Sequence, residues 1–311
     1  MLFEVPISHT SGLAIGQLGF VTHLENIGRY MNHGVDIRLA ANIVRKQDYG
    51  ISAYVNFSYN RDKVLELFDG RDTWFEPGSQ LGYIVGKPIT FVVPIYKGIN
   101  SQTGHPEWYV PGKDISVTAK DDGKVVDEWS NTLEQNTEVA VYTPVTGGWG
   151  VEGRWKGFYL TADFAFALDK HMLSLDKQYY ENDYYIRDKK QNFNGSRKLF
   201  DYWKEPGDVA EFPSLDYVRS QGKVHQSTYL DTKLLENASF MRLKNLTVGY
   251  RLPQEMLKKQ SFLTSAKIYF AGRNLVTFTK FRGIDPEVNQ NAAFGVNPNT
   301  KQVSVGIEIG F

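Results

Sequence analysis

The chain has 311 residues, with 35 lysines and arginines balanced by 35 aspartates and glutamates, and it contains no cysteine. A formal charge of zero gives no electrostatic reason to expect nucleic acid as a partner. The lack of cysteine excludes disulfides, thiolate metal sites and cysteine nucleophiles. Aromatic residues make up 14% of the chain although its mean hydropathy is −0.38, and the fold must account for that combination.

The N-terminal stretch, MLFEVPISHTSG, lacks the basic and apolar regions of a signal peptide. We therefore expect either a cytoplasmic protein or a chain that begins partway through a longer exported one. Apolar runs such as FVVPI, from Phe91, are far shorter than the ~18 residues of a membrane helix.

Alternation of apolar and polar residues with a period of two is the dominant pattern. It predicts strands with one apolar face and one small or polar face. In chain order these strands cover residues 35–43, 51–59, 146–155, 158–168, 239–250, 266–278 and 303–311. The alternation in the fifth strand is broken at Arg242 and Lys244, which predicts a β-bulge.

The predicted connections differ greatly in length. Residues 45–49 and 155–158 form tight turns, and residues 252–265 hold at most a helical turn, whereas the stretches 68–145, 170–237 and 280–300 are long and polar. Short turns on one side and long loops on the other are typical of an outer-membrane β-barrel. A soluble sandwich or barrel with elaborated loops is the alternative, although such long loops are unusual in a compact domain.

Residue patterns that would indicate chemistry are weak. Gly148, Gly150 and Gly153 match the spacing of a dinucleotide-binding loop, but an alternating strand follows them instead of a helix. The six histidines are scattered, and no arrangement of carboxylates or serine indicates catalysis. We predict no catalytic residue, no metal and no cofactor.

Large aromatic residues in the long loops are better candidates for binding, because a ring offers an apolar face and a polar edge. These candidates are Trp74, Trp108, Tyr109, Trp129 and Trp203. Local packing of a large loop, or contact with a partner protein, is the alternative to ligand contact.

Three C-terminal segments identify a family resemblance: ASFMRLKNLTVGYRLPQEMLKK from Ala238, KIYFAGRNLVTFTKFRGIDPEV from Lys267, and the closing VSVGIEIGF. They resemble the C-terminus of SusC/RagA-type TonB-linked outer-membrane transporters. The matching positions include Phe240, Arg242, Leu243, Lys244, Asn245, Gly249, Tyr250, Pro253, Asn274, Asp285, Pro286 and Glu287. Earlier segments, such as NIGRYMNHGVDIRL from Asn26, resemble the same family.

The resemblance implies an all-β chain that is part of a transmembrane antiparallel barrel of about 22 strands. Residues 1–311 would supply about seven C-terminal strands with long extracellular loops, and an odd count is unusual for a closed bacterial barrel. The family's signal peptide, N-terminal extension domain and plug would be absent, so we expect a fragment.

The implied function is import, without catalysis, of glycan oligosaccharides or peptides across a Gram-negative outer membrane of the Bacteroidota type. The implied partners are a SusD-like surface lipoprotein, the remaining barrel and plug, the TonB complex, and the lipid bilayer. Val305, Ile307, Ile309 and Phe311 would form the strand recognised by the barrel-assembly machinery. A soluble carbohydrate-binding module or glycosidase with a β-sandwich, and a siderophore or corrinoid receptor, are the alternative functions.

Overall fold

The computed structural model describes residues 2–12, 22–119, 123–181, 195–220, 230–257, 262–288 and 292–311. The strands in chain order are β1 (Leu2–Gly12), β2 (Thr22–Arg45), β3 (Tyr49–Leu67), β4 (Thr73–Glu76), β5 (Leu81–Ile84), β6 (Thr90–Pro94), β7 (Tyr96–Ile99), β8 (Pro106–Tyr109), β9 (Val125–Val126), β10 (Glu134–Ala140), β11 (Val145–Trp155), β12 (Phe158–Leu168), β13 (His171–Ser174), β14 (Leu235–Asn237), β15 (Phe240–Arg251), β16 (Ser265–Thr279), β17 (Ala292–Ala293) and β18 (Gln302–Gly310).

Among the residues that the structure describes, helical structure is limited to short pieces. These are α1 (Leu175–Tyr180), α2 (Leu215–Ser220), α3 (Gln254–Leu257) and the 3₁₀ turns Phe68–Gly70, Asn131–Leu133 and Arg197–Phe200. Helix α3 confirms the helical turn predicted between residues 252 and 265. In the described ranges, no helix has the length and apolar character needed to cross a membrane.

The largest sheet has eight strands in the order β1-β2-β3-β11-β12-β15-β16-β18, and each strand is antiparallel to its neighbours. All seven predicted strands lie in it, so the all-β antiparallel prediction is confirmed. The eighth, β1, was missed because Pro6 and a register shift after Ile7 break its alternation. Strand β2 has 24 residues, many more than predicted, since its first half shows no clear alternation.

The predicted bulge is confirmed at Lys244. On one side of β15, Leu243 and Asn245 pair with consecutive residues of β12, so Lys244 is the extra residue. On the other side the register shifts at the same place, beside Asn274, whose φ is +51°. The extra residue lets Arg242 and Asn245 point to the same face of the sheet, which simple alternation would not allow.

The two faces of the eight-stranded sheet differ in chemistry. One face carries cross-strand pairs of apolar side chains, such as Ile37 with Phe57 and Ile268 with Ile307. Its side chains are exposed: Leu39 by 62% and Ile307 by 69%. The opposite face carries Asp36, Arg38, Asn56, Ser58, Thr161, Asp163, Thr247, Ser304 and Glu308. We call these the apolar face and the polar face.

Glycines on the polar face lie directly opposite tyrosines of the neighbouring strand. The three pairs are Gly150 with Tyr54, Gly249 with Tyr159, and Gly306 with Tyr269. A Cβ on any of these glycines would lie 2.4 Å from the facing ring. Each ring therefore lies flat over a glycine, which fixes the side-chain register across the sheet.

The long connections form a second layer at one end of this sheet. They contain a four-stranded sheet, β10-β6-β5-β4, and two three-stranded sheets, β14-β13-β17 and β7-β8-β9. Their main apolar core is shared with the end of β3 and consists of Val64, Leu67, Tyr83, Ile89, Phe91, Val141, Leu173 and Leu234. The predicted loops are thus a folded unit, which we call the loop layer. The tight turns lie at the opposite end.

Candidate functional site

The loop aromatics are mostly packing residues in the loop layer. Trp108 is 2% exposed, and its Nε1 donates to the buried Asp231 at 2.8 Å. Burial raises the pKa of Asp231. Trp129 packs partly buried against the cluster of Trp108 and Leu133. For Trp108, these contacts favour local packing over ligand contact.

The other loop aromatics lie in different parts of the loop layer. Trp74 packs against the main core, with its ring 5.2 Å from that of Tyr83. Trp203 donates from Nε1 to the carbonyl of Ser101 at 2.9 Å. Tyr109 is half-buried, and its carbonyl accepts a hydrogen bond from the Gln135 amide at 3.1 Å. The five predicted aromatics do not form one site, and ligand or partner contact by them stays a prediction.

Four charged residues at positions that match the family form a partly buried cluster beside the polar face. Arg242 is 4% exposed and donates to Asp285 at 2.7 Å, to Glu287, and to the Thr277 hydroxyl at 2.8 Å. Lys244, the bulge residue, donates to Glu287 at 2.6 Å. We call these four charged residues, Arg242, Lys244, Asp285 and Glu287, the charge cluster. It joins strand β15 to the segment that follows β16.

Asp285 is held by more than its ion pair. Its carboxylate accepts hydrogen bonds from the backbone N–H of Glu287 at 2.9 Å and from the backbone and side chain of Asn299 at 2.8 and 3.1 Å. Burial opposes ionisation, but the hydrogen bond from Arg242 and those from the backbone outweigh it, so the pKa of Asp285 is lowered. The carboxylate therefore stays charged at neutral pH.

Lys170 holds the same segment from the other side. Its Nζ donates to the carbonyl of Pro286 at 2.7 Å and to that of Val288 at 2.6 Å. Burial lowers the pKa of Lys170, and the attraction of the Glu287 and Asp285 carboxylates offsets only part of that effect. Residues 285–288 are thus fixed against the polar face by contacts with both β15 and the end of β12.

Other residues at positions that match the family make hydrogen bonds and packing contacts in or beside the eight-stranded sheet. Asn245 donates to Asp163 at 3.3 Å, and Asn274 donates to the Thr300 carbonyl at 3.1 Å. Gly249 lies beneath the Tyr159 ring, and Leu243 pairs with Phe164. Tyr250 packs its ring 4.6 Å from Phe158, and Pro253 accepts the backbone N–H of Met256 at the start of α3.

The last strand lies at one edge of the eight-stranded sheet and pairs only with β16 among the described strands. Val305, Ile307 and Ile309 project from its apolar face, 72%, 69% and 48% exposed. Phe311 is 82% exposed, with its ring 6.4 Å from that of Phe262. The structure thus places the predicted assembly residues on an accessible strand, while their recognition stays a prediction.

A cavity of about 670 Å³ lies between the polar face and the fixed segment 285–288. The sheet contributes side chains of Asn32, Asn56, Asn60 and Thr146, and the loop layer contributes Tyr142 and Thr143. Sequence patterns missed this cavity because its walls come from segments far apart in the chain. Three inward asparagines at the loop end of β2 and β3 were the one available indication.

The known proteins that this chain resembles are TonB-dependent receptors and transporters. No family model matches the chain. It is 25% identical over its full length to TonB-dependent receptor P3 of Formosa agariphila, covering 31% of that protein. It is 23% identical over 92% of its length to TonB-dependent receptor SusC of Bacteroides thetaiotaomicron, covering 27% of that protein.

Solved structures show the same likeness. The RagAB peptide importer in its open-open state matches all of this chain with a TM-score of 0.81 and 33% identity, over 32% of that chain. The structure of the RagAB peptide transporter matches 94% of it with a TM-score of 0.78 and 35% identity. The chain spans about a third of the length of these proteins. In sequence and fold it is similar to SusC/RagA-type TonB-dependent receptors, and its eight-stranded sheet corresponds to part of the RagA β-barrel.

Proposed function

We propose that this chain forms part of an outer-membrane transporter that imports glycan oligosaccharides or peptides in a TonB-dependent manner. The observation that carries the proposal is the two-faced sheet, whose exposed apolar face suits lipid and whose polar face suits a barrel interior. In water such a large apolar face would be unfavourable, which argues against the soluble sandwich. The relatives named above are receptors and transporters, which fits a protein without catalytic activity.

We propose further that residues 1–311 are the C-terminal portion of the barrel, with the remaining strands and the plug supplied by another part of the transporter. Two observations support this. The chain corresponds to about a third of its relatives, and β1 and β18 each have one unpaired side among the described strands. Eight strands are too few for a wide barrel. The TonB complex would act through the part that is not in this chain.

A SusD-like lipoprotein would cover the loop layer. This partner is proposed from the likeness to SusC and RagAB and from two exposed apolar side chains in the loop layer. Phe200 is 77% exposed and Val209 is 95% exposed, so both side chains are accessible to a partner. The sequence analysis did not select them, because isolated apolar residues in a polar stretch form no periodic pattern.

Cell fractionation tests the location. The protein, carried in its full transporter, is expected in the outer-membrane fraction and to change its electrophoretic mobility on heating, as folded barrels do. Transport is tested by deleting the gene and measuring uptake of glycans and peptides. Recovery of the folded protein in the soluble fraction without detergent would contradict the proposal. Uptake of a siderophore or corrinoid alone would instead favour that alternative cargo.

A further inference from the structure

One glycine leaves a gap in the apolar face near the tight turns. A Cβ on Gly153 would have no atom within 4 Å. At every other glycine of the eight-stranded sheet whose surroundings are described, a Cβ would lie 2.8 Å or less from a neighbouring atom. Gly153 pairs with Ile51 on one side and with Leu160 on the other. The surface between them is therefore an open groove of about 690 Å³, bordered by Tyr49, Ile51, Trp155, Phe158, Leu160 and Val248.

A row of aromatic residues borders the groove on the side of the turns. Tyr49, Trp155, Phe158 and Tyr250 pair with one another across four neighbouring strands, and the rings of Trp155 and Phe158 stack with 6.3 Å between their centroids. In outer-membrane barrels such rows lie where the membrane meets water. Gly153 lies two residues further into the sheet than Trp155. In the proposed transporter the groove is therefore at the depth of lipid tails, and the turns beyond the row are at the depth of head groups.

The two turns beyond the aromatic row bring two lysines together. The backbone N–H of Lys156 donates to the carbonyl of Asp48 at 2.8 Å, and Arg154 donates to the carbonyl of Lys46 at 3.2 Å, so the turns are adjacent. The Nζ of Lys156 lies 5.7 Å from the Trp155 ring. Both lysines are exposed, and among the described residues neither forms an ion pair with a carboxylate. Asp48 is the one acidic residue in segments 46–49 and 155–158, which leaves an excess of positive charge.

The width of the gap limits what can enter it. Neighbouring strands lie about 4.8 Å apart, so the backbones of β3 and β12 are separated by about 10 Å across Gly153. An α-helix with its side chains is about 10–12 Å wide, which is too wide to enter between the side chains of Ile51 and Leu160. An acyl chain has the width of one aliphatic side chain. The gap therefore suits a lipid tail better than a helix of a partner protein.

We propose that this groove binds one acyl chain of an anionic phospholipid, whose phosphate head group lies at Lys46 and Lys156. The chain fills the space beside Gly153 and restores the dispersion contacts that Ile51 and Leu160 lack on that side. The two ammonium groups attract a head group with a net negative charge, whereas a zwitterionic head group has no net charge. This inference rests on the proposed membrane location and goes beyond it by naming a lipid site and the class of lipid.

The test is native mass spectrometry of the purified full transporter, delipidated in detergent and then given equal amounts of palmitoyl-oleoyl phosphatidylglycerol and phosphatidylethanolamine. Wild type should retain about fivefold more phosphatidylglycerol, the preference expected of one net positive charge beside an anionic head group. Gly153→Leu fills the groove and should lose this retained lipid. Ala41→Leu is the matched control, since Ala41 is exposed on the apolar face of β2 outside the groove, and it should retain the lipid as wild type does.

A second variant tests the head-group contact separately. Lys46→Gln combined with Lys156→Gln leaves the groove open but removes both ammonium groups, so the two lipids should be retained equally. Heat-modifiable mobility shows which variants are folded before their lipids are compared. If Gly153→Leu does not fold, the lysine variant decides the inference by itself.

Four results would overturn the inference. They are retention of no lipid by wild type, equal retention of the two lipids by wild type, unchanged retention by folded Gly153→Leu, and a preference for phosphatidylglycerol that survives in the lysine variant. None of these results would contradict the proposed function, which depends on outer-membrane location and uptake. A wild-type protein absent from the outer membrane would contradict the proposed function whatever lipid it retains in detergent.

Discussion

At the scale of single residues, the ion pairs of this chain differ widely in how exposed their side chains are. Arg242 and Asp285 are both nearly inaccessible, whereas Arg219 and Asp216 form a pair on the surface, 68% and 95% exposed. Removing one partner from a buried pair costs about 3–5 kcal/mol because the other charge is left uncompensated. An exposed pair contributes about 0–1 kcal/mol. Removing one partner of the Arg242–Asp285 pair should therefore cost far more than removing one partner of the Arg219–Asp216 pair.

Replacing Arg242 by alanine should release the segment after β16. Asp285 and Glu287 would lose their main cationic partner, and we expect faster cleavage between residues 280 and 299 in limited proteolysis of the full transporter. The control is Arg219→Ala, which removes only the exposed pair and should leave the cleavage pattern unchanged. Equal cleavage in both variants would show that the charge cluster does not hold the segment.

The charge cluster also predicts a dependence on pH. Because the folded pKa of Asp285 is lowered, its stabilising effect is complete above the ordinary aspartate pKa of about 3.9 and is lost as the pH falls through the lower folded value. Wild type should unfold at a higher temperature than Asp285→Asn from pH 7 down to pH 5, and the difference should shrink towards pH 3. Thermal unfolding in detergent measures it, and a difference that grew on acidification would contradict the assignment.

At the scale of elements, the strands follow simple rules of side-chain direction. The apolar and polar faces result from alternation, and one extra residue at Lys244 changes the register of β15 against both neighbours. The glycine–tyrosine pairs on the polar face add a steric rule, because each ring needs the facing position to lack a Cβ. Strand order and register are therefore determined by many small contacts in addition to backbone pairing.

The steric rule predicts different outcomes for two glycines of this sheet. Gly249→Val would place branched carbons within the Tyr159 ring, whereas Gly153, on the apolar face, has open space around the position of a Cβ. We expect Gly249→Val to lower the amount of heat-modifiable protein in the outer membrane several-fold and Gly153→Val to leave it near wild type. Equal amounts of the two variants would show that the Tyr159 ring moves aside freely.

The last strand carries a separate prediction from the family resemblance. Deleting Phe311 should lower the level of the full transporter in the outer membrane, because the terminal aromatic would be recognised during barrel assembly. Phe311 is 82% exposed, so its loss should not unfold the sheet by itself. Phe294→Ala, which changes an exposed loop aromatic, is the control. A normal outer-membrane level of the transporter without Phe311 would contradict the predicted role of this residue in barrel assembly.

At the scale of the whole molecule, the loop layer and the turn end face opposite sides of the membrane in the proposed transporter. Replacing both Phe200 and Val209 by aspartate should reduce co-purification of the lipoprotein at least tenfold, because two apolar contacts would become charged. Met256→Asp, an exposed change in α3 at the turn end, should have no such effect. Unchanged co-purification of the first variant would place the lipoprotein contact elsewhere.

The predicted role of the loop tryptophans is tested by the same measurement together with uptake. Trp74 and Trp203 pack against other loop residues, so alanine variants must first be shown to fold. If they fold and both uptake and lipoprotein co-purification are unaltered, these tryptophans only pack the loop layer. Weaker uptake or co-purification at normal protein levels would support the predicted contact.

The sequence by itself determined the seven strands, the bulge at Lys244, the tight turns, the helical turn and the family resemblance, because alternation and short motifs are local properties of the chain. It could not reveal that Arg242 binds Asp285, 43 residues away, or that Trp108 lies inside a folded loop layer. It also did not reveal β1, whose alternation is interrupted, or the cavity beside segment 285–288. These features depend on contacts between distant segments, and only the tertiary structure decides which distant side chains meet.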